Sequence, residues 1–120
     1  MEKIIVIDGK EVPFKSSGAF LLRYRSQFGK DPLSDVSGLD LGLKHYAETG
    51  SLEKIDMVVL YNLIWTLAKT ANPTIKPPME WLDEFNEFPI DEILPEVQEL
   101  MIQAFGMTKT LKNAQSAVEQ

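Results

Sequence analysis

The chain has 120 residues, 44% of them hydrophobic and 25% charged, with a formal net charge of −6; that size and balance suit one globular domain with a single core. There is no cysteine and one histidine, His45, which excludes disulfide frameworks, thiolate zinc sites, cysteine nucleophiles and two-histidine metal centres. The pI near 4.7 argues against nucleic acid as a partner, because phosphate binding draws on clustered bases.

In chain order, the first expected element is a β-hairpin over residues 3–15. Ile4, Ile5, Val6 and Ile7 are all β-branched. Asp8-Gly9 is a type I′ turn signal, and Val12-Pro13-Phe14 supplies the return strand. Pro13 cannot donate to a ladder, so that strand lies at an edge or ends there. Ser16 or Ser17 then caps a helix over 18–28, in which Phe20, Tyr24 and Phe28 form an apolar stripe. Gly29 closes this helix, and Asp31-Pro32 is read as a firm stop. Residues 31–54 are punctuated by Ser34, Ser37, Gly38, Gly42 and Gly50, and predict only a helical turn or two at 40–48 between loops.

The strongest helix signal covers 56–71. Asp56 stands where a cap belongs, Asn72-Pro73 stops the helix, and apolar residues occur nearly all round it. Such a helix is packed on several sides and forms the centre of the fold. After Pro73, Pro77 and Pro78, a helix is expected over 79–88 with Trp81, Leu82 and Phe85, broken by Pro89. Asp91 is expected to cap a last helix over 91–105, closed by Gly106, with 107–120 as a flexible polar tail. The fold class is therefore mainly α with a small N-terminal β-hairpin (α+β): a single domain over 1–106, with about four to five helices around one central apolar helix.

The opening apolar run is too short for a signal peptide, and Met57-Val58-Val59-Leu60 is too short to span a bilayer. A cytoplasmic protein without membrane contact is expected. Charge is unevenly spread. From 10 to 30 the bases Lys10, Lys15, Arg23, Arg25 and Lys30 face one acid, Glu11. From 77 to 108 there is no Lys or Arg, against Glu80, Asp83, Glu84, Glu87, Asp91, Glu92, Glu96 and Glu99. This split suits either intramolecular docking or head-to-tail self-association, for which Arg23 and Arg25 against Glu84 and Glu87 are the candidates.

No constellation for catalysis stands out. Asp83-Glu84 and Asp91-Glu92 read as solvated helix faces, since catalytic carboxylate pairs need a shared cleft that separates their pKa values. The glycines form no phosphate cradle, His45 has no partner that sequence can name, and the acids between Asp31 and Asp40 are too sparse for a calcium loop. No cofactor, no metal and no enzymatic activity is expected. Trp65 and Trp81 are read as core or interface residues. The segment 79–105 remains as an acidic, amphipathic helix pair. Trp81, Phe85, Phe88 and Ile90 are the candidate partner-binding residues there, and Phe85, Phe88 and Ile90 around Pro89 are the part expected to stay exposed.

Ile4-Ile5-Val6-Ile7-Asp8-Gly9-Lys10, then Phe20-Leu21-Leu22-Arg23-Tyr24-Arg25 with Phe28-Gly29-Lys30-Asp31, then Ile64-Trp65-Thr66-Leu67-Ala68-Lys69-Thr70-Ala71-Asn72, and finally Glu80-Trp81-Leu82 with Phe85 follow one another in a set order. Through roughly residues 3–105 this pattern resembles the tail assembly chaperones of long-tailed phages and prophages of Gram-positive bacteria; order and spacing carry the resemblance, not any one motif. It implies a mostly α fold with a small β element and a non-catalytic role in the host cytoplasm. It further implies binding of the tape measure protein before tail tube protein polymerises around it, self-association, and absence from the finished virion. The family also commonly makes a longer frameshifted product, and Leu111-Lys112-Asn113 is compatible with a slippery A-AAA-AAC run in the gene. Two alternatives stand beside this reading: a small nucleic-acid-binding regulator using Lys15, Arg23, Arg25 and Lys30, and a structural virion component such as a head–tail connector.

Overall fold

In the computed structural model, residues 1–105 are described. Two strands, β1 (Glu2–Ile7) and β2 (Lys10–Lys15), precede five helices: α1 (Ala19–Phe28), α2 (Pro32–Thr49), α3 (Met57–Ala71), α4 (Pro78–Leu82) and α5 (Ile90–Phe105). The fold is α+β and mainly α. Strands β1 and β2 pair antiparallel, from Glu2 opposite Lys15 to Ile7 opposite Lys10. Asp8 and Gly9 have φ of 54° and 73°, the paired positive values of a type I′ turn, whose twist matches that of the strands. Ile7, Val12 and Phe14 point into the core, whereas Ile4 and Val6 point away from it.

Helix α3 lies at the centre. Val59, Leu60, Leu63, Ile64, Trp65, Thr66, Leu67 and Ala68 are all buried, so its covered surface extends round most of its circumference. The Asp56 carboxylate accepts from the N–H groups of Val58 and Val59 at 3.1 and 3.2 Å, which satisfies two donors that a helix start otherwise leaves open. Phe20 and Tyr24 of α1, Leu39 and Leu43 of α2, Trp81 of α4, and Ile93, Val97 and Leu100 of α5 belong to the same core. Helix α1 starts behind Ser17, whose hydroxyl accepts from the Ala19 N–H at 3.3 Å. Ser16 is buried against Met1 instead. At the other end Gly29 takes φ 67° and donates to the Arg25 carbonyl.

Helix α2 corrects the expectation of a turn or two at 40–48. It runs for 18 residues, and the Asp31-Pro32 pair read as a stop also starts it. The Asp31 carboxylate accepts from the Leu33 N–H at 3.1 Å, and Pro32 stands in the first turn, where its missing N–H costs nothing. Gly42 is used for close approach: a Cβ there would meet the Lys54 carbonyl, with the carbonyl carbon 2.9 Å and the Ile55 Cα 3.0 Å away. The glycine therefore lets the loop between α2 and α3 rest on α2.

Two further boundaries differ from expectation. The helix expected over 79–88 stops at Leu82. Phe88 precedes Pro89 and is biased away from helical geometry, and the intervening backbone is drawn toward the hairpin, as described below. Asp91 does not cap α5. The Pro89 carbonyl accepts from the Glu92 and Ile93 N–H groups, both at 3.1 Å, so the helix begins at Ile90. Asp91 and Glu92 sit in its first turn, where negative charge meets the positive end of the helix dipole. Pro95 lies inside α5. Gly106 and the 107–120 tail lie outside the described residues.

The buried Tyr24 hydroxyl donates to Asp35 at 2.7 Å, tying α1 to the first turns of α2. Burial, then the Asp35 hydrogen bond and charge, push the phenol pKa well above its ordinary value of 10.0. The folded state thus holds this proton more tightly than the unfolded chain does. The stabilisation is complete below pH about 10 and is lost as pH rises beyond it. In urea titrations across that alkaline range, Tyr24→Phe should show a shallower fall in unfolding free energy than the wild type. A second comparison concerns the two interior glycines of α2. Gly42→Ala should destabilise by about 2 kcal/mol through the clash with Lys54. Gly38→Ala, where nothing lies within 4 Å, should stabilise by roughly 0.5–1 kcal/mol from helix propensity.

Candidate functional site

The segment between α4 and α5 is the part of the chain that sequence singled out for partner binding. In the structure Trp81, Phe85 and Phe88 form an aromatic cluster with Tyr61 of α3. Ring centroids are 5.1 Å apart for Trp81–Phe85, 5.6 Å for Phe85–Phe88, 6.1 Å for Trp81–Phe88 and 5.7 Å for Tyr61–Phe88. These are edge-on and tilted contacts of the kind that the ring quadrupole favours. Trp81 is 3% exposed and Ile90 9%, so both are core residues. Phe85 and Phe88 are half-buried and pack on that core. The expectation of an exposed remainder is corrected for Ile90, whereas Phe85 and Phe88 stay partly exposed. Beyond Leu82 the chain folds back, and Phe88 reaches Tyr61 of α3.

The tip of the hairpin completes the cluster. Lys10 lies over the Phe85 ring, 5.3 Å from its centroid, and donates to the Glu84 carbonyl. The Asp8 carboxylate accepts from the Asn86 N–H at 2.9 Å. Turn residues 8–10 thus satisfy backbone groups that lost their helical partners when α4 ended early. Contacts across such a sequence separation leave no local signal, and sequence reasoning missed them. Trp65 donates from Nε1 to the Lys76 carbonyl at 2.8 Å. Lys69 donates to the Pro73 and Ile75 carbonyls at 2.6 and 3.1 Å. These bonds hold the proline-rich connector against the end of α3. Around the cluster the surface is exposed and acidic, with Glu80, Asp83, Glu84 and Glu87, and Met79 stands out at 74% exposure.

The carboxylates of the acidic segment meet a base within the chain, but one that lies outside the basic run of residues 10–30. The Lys3 ammonium bonds Glu96 at 2.7 Å and also Glu99. Hydrogen bonding to Glu96, then to Glu99, raises its pKa above the ordinary 10.5. Lys3 has the same strand parity as the inward Ile5 and Ile7, a signal that its charge needs a partner beneath the sheet. Of the self-association candidates, Arg25, Glu84 and Glu87 are exposed. Arg23 is half-buried, with its Nε buried and without a hydrogen-bond partner among the described residues. Of the basic face that a nucleic-acid regulator would use, Lys15 and Arg23 are half-buried and Arg25 and Lys30 are exposed.

His45 lies 3.4 Å from Glu53, too poorly aligned to count as a hydrogen bond, since its Nε2 has no such partner. Asp83-Glu84 and Asp91-Glu92 are exposed. Among the described residues no group of three or more His, Asp or Glu side chains is placed to hold a metal ion, and no helix is long and apolar enough to cross a membrane. In comparisons with protein-family models, curated proteins and solved structures, none matches this chain.

Replacing Asp8 by Gly preserves the positive φ of the turn but deletes the acceptor for Asn86. We expect Asp8→Gly to cost about 1 kcal/mol and to speed amide exchange at Asn86 selectively, as read by NMR. Trp81→Ala should cost about 3–5 kcal/mol in denaturant unfolding, as a core residue would and an exposed docking residue would not.

Proposed function

We propose that this protein is a tail assembly chaperone, which binds the tape measure protein and keeps it soluble in the host cytoplasm until tail tube subunits enclose it. The observation that carries the reading is the surface around α4. There the exposed side chain of Met79 and the half-buried rings of Phe85 and Phe88 lie on a segment whose own charges, Glu80, Asp83, Glu84 and Glu87, are all acidic, with Lys10 of the hairpin over the Phe85 ring. Apolar contact of this kind suits the apolar stripe of a client helix, and methionine adapts to varied client side chains. The surrounding negative charge keeps a complex soluble. Trp81 and Ile90 then act from beneath, as the floor that positions Phe85 and Phe88. The sequence resemblance through residues 3–105 supports the same role, and a longer frameshifted product carrying this domain is part of the same proposal.

The test is co-expression of the full chain with the tape measure protein encoded beside it. A soluble complex should be recovered. Met79→Asp changes an exposed side chain and leaves the core intact, so it should cut recovery severalfold while thermal unfolding stays within about 0.5 kcal/mol of wild type. A client that aggregates regardless of this chain would defeat the proposal. Detection of the chain in purified particles would favour the virion-component reading instead.

A further inference from the structure

The two edges of the hairpin are unequal. Met1 and Ser16 exchange both backbone bonds, Ser16 N–H to the Met1 carbonyl at 2.9 Å and the Met1 amine to the Ser16 carbonyl at 3.2 Å. This sets the parity of the ladder: Lys3, Ile5 and Ile7 face β2 with their N–H and C=O groups, and Glu2, Ile4 and Val6 face away. On β2 the outward-facing groups belong to Glu11, Pro13 and Lys15, and Pro13 has no N–H to offer. That edge is blocked by the device natural sheets use against strand addition. The β1 edge has no such block. Among the described residues no backbone partner is recorded for Glu2, Ile4 or Val6 along it. The same residues carry exposed apolar side chains, Ile4 at 66% and Val6 at 64%.

We infer that β1 pairs antiparallel with β1 of a second copy of this chain, joining two hairpins into a four-stranded sheet in the order β2-β1-β1-β2. Pairing centred on Ile4 engages all three outward residues of each copy, with Ile4 opposite its own symmetry mate and Glu2 opposite Val6. The outer face is then compatible row by row. Pro13 and Ile4 continue into Ile4 and Pro13 of the second copy as an unbroken apolar row. In the rows beside it Glu2 has Lys15 on one side and Val6 of the other copy on the other, and Glu11 lies beside Val6. No like charges stand directly opposite one another, the arrangement that would oppose pairing. On the inner face Lys3 would come beside Ile5 of the other copy with its charge already answered by Glu96 and Glu99. The surface is separate from the α4 region, so the inference stands apart from the client reading.

The mass of the full chain in solution, by light scattering on a sizing column, is the measurement. Wild type should elute at twice the 13.6 kDa chain mass. Ile4→Pro, which copies the Pro13 device onto β1, should halve the mass. Ile4→Lys and Ile4→Glu keep the N–H and place like charges opposite each other across the axis. Each should be monomeric alone, with far-UV circular dichroism unchanged, and a mixture of the two should recover the dimer. In the wild type the amide of Val6 should gain exchange protection with concentration. A monomeric wild type, or a dimer that persists in folded Ile4→Lys and Ile4→Glu chains, overturns the proposal. If Ile4→Pro unfolds, the charge pair decides.

Discussion

Helix α3 carries more apolar surface than any one neighbour can cover, and the remaining elements are arranged by that excess. Leu60, Leu63, Ile64, Trp65, Leu67 and Ala68 are all closed off from water, which at roughly 25 cal/mol per Å² of apolar area is the main source of stability in a domain of this size. The shorter covering elements would not persist alone. A two-stranded hairpin is marginal in water, and the 10-residue α1 and 5-residue α4 are below the length at which isolated helices hold. Their order comes from α3, and α3 is buried only because all of them are present. Even Thr66 conforms, since its buried hydroxyl donates to the Asn62 carbonyl of its own helix.

What closes the C-terminal half is a set of polar links to irregular backbone. Asp8, Lys10, Trp65 and Lys69 each supply a donor or acceptor to peptide groups in the segments flanking α4. Those segments are rich in proline and leave α-helical geometry early, so their peptide groups must find partners outside a helix ladder. The links bring the hairpin tip to the aromatic cluster and turn Phe85 and Phe88 inward. A surface that looks apolar in sequence is thereby reduced to Met79 and the outer parts of two rings, set among carboxylates.

Apolar exposure that remains is spread over distinct faces, and the two strongest cases differ in kind. Around α4 the exposed apolar groups are side chains, Met79 and the outer parts of two rings, which suits side-chain contact with varied clients. Along β1 the exposed Ile4 and Val6 stand on a strand edge whose outward N–H and C=O groups are unpaired among the described residues, which suits a partner of fixed register. The acid content serves both by keeping separate copies and complexes in solution.

Most elements were legible because their signals are local. The Asp8-Gly9 turn, the Asp56 cap, the Gly29 stop and the all-round apolar pattern of 57–68 each depend on residues within one or two turns, and each is found where expected. Lys3 went unread, although a charge on an otherwise inward strand face is a local signal. The length of α2 was hidden because Gly38 and Gly42 read as breakers, and only contact with Lys54 and Ile55 shows that Gly42 serves packing. The end of α4 at Leu82 and the burial of Ile90 were hidden for the same reason. Periodicity tells which side chains avoid water, but which neighbour covers them depends on contacts between residues as distant as Asp8 and Asn86, and those exist only once the chain has folded.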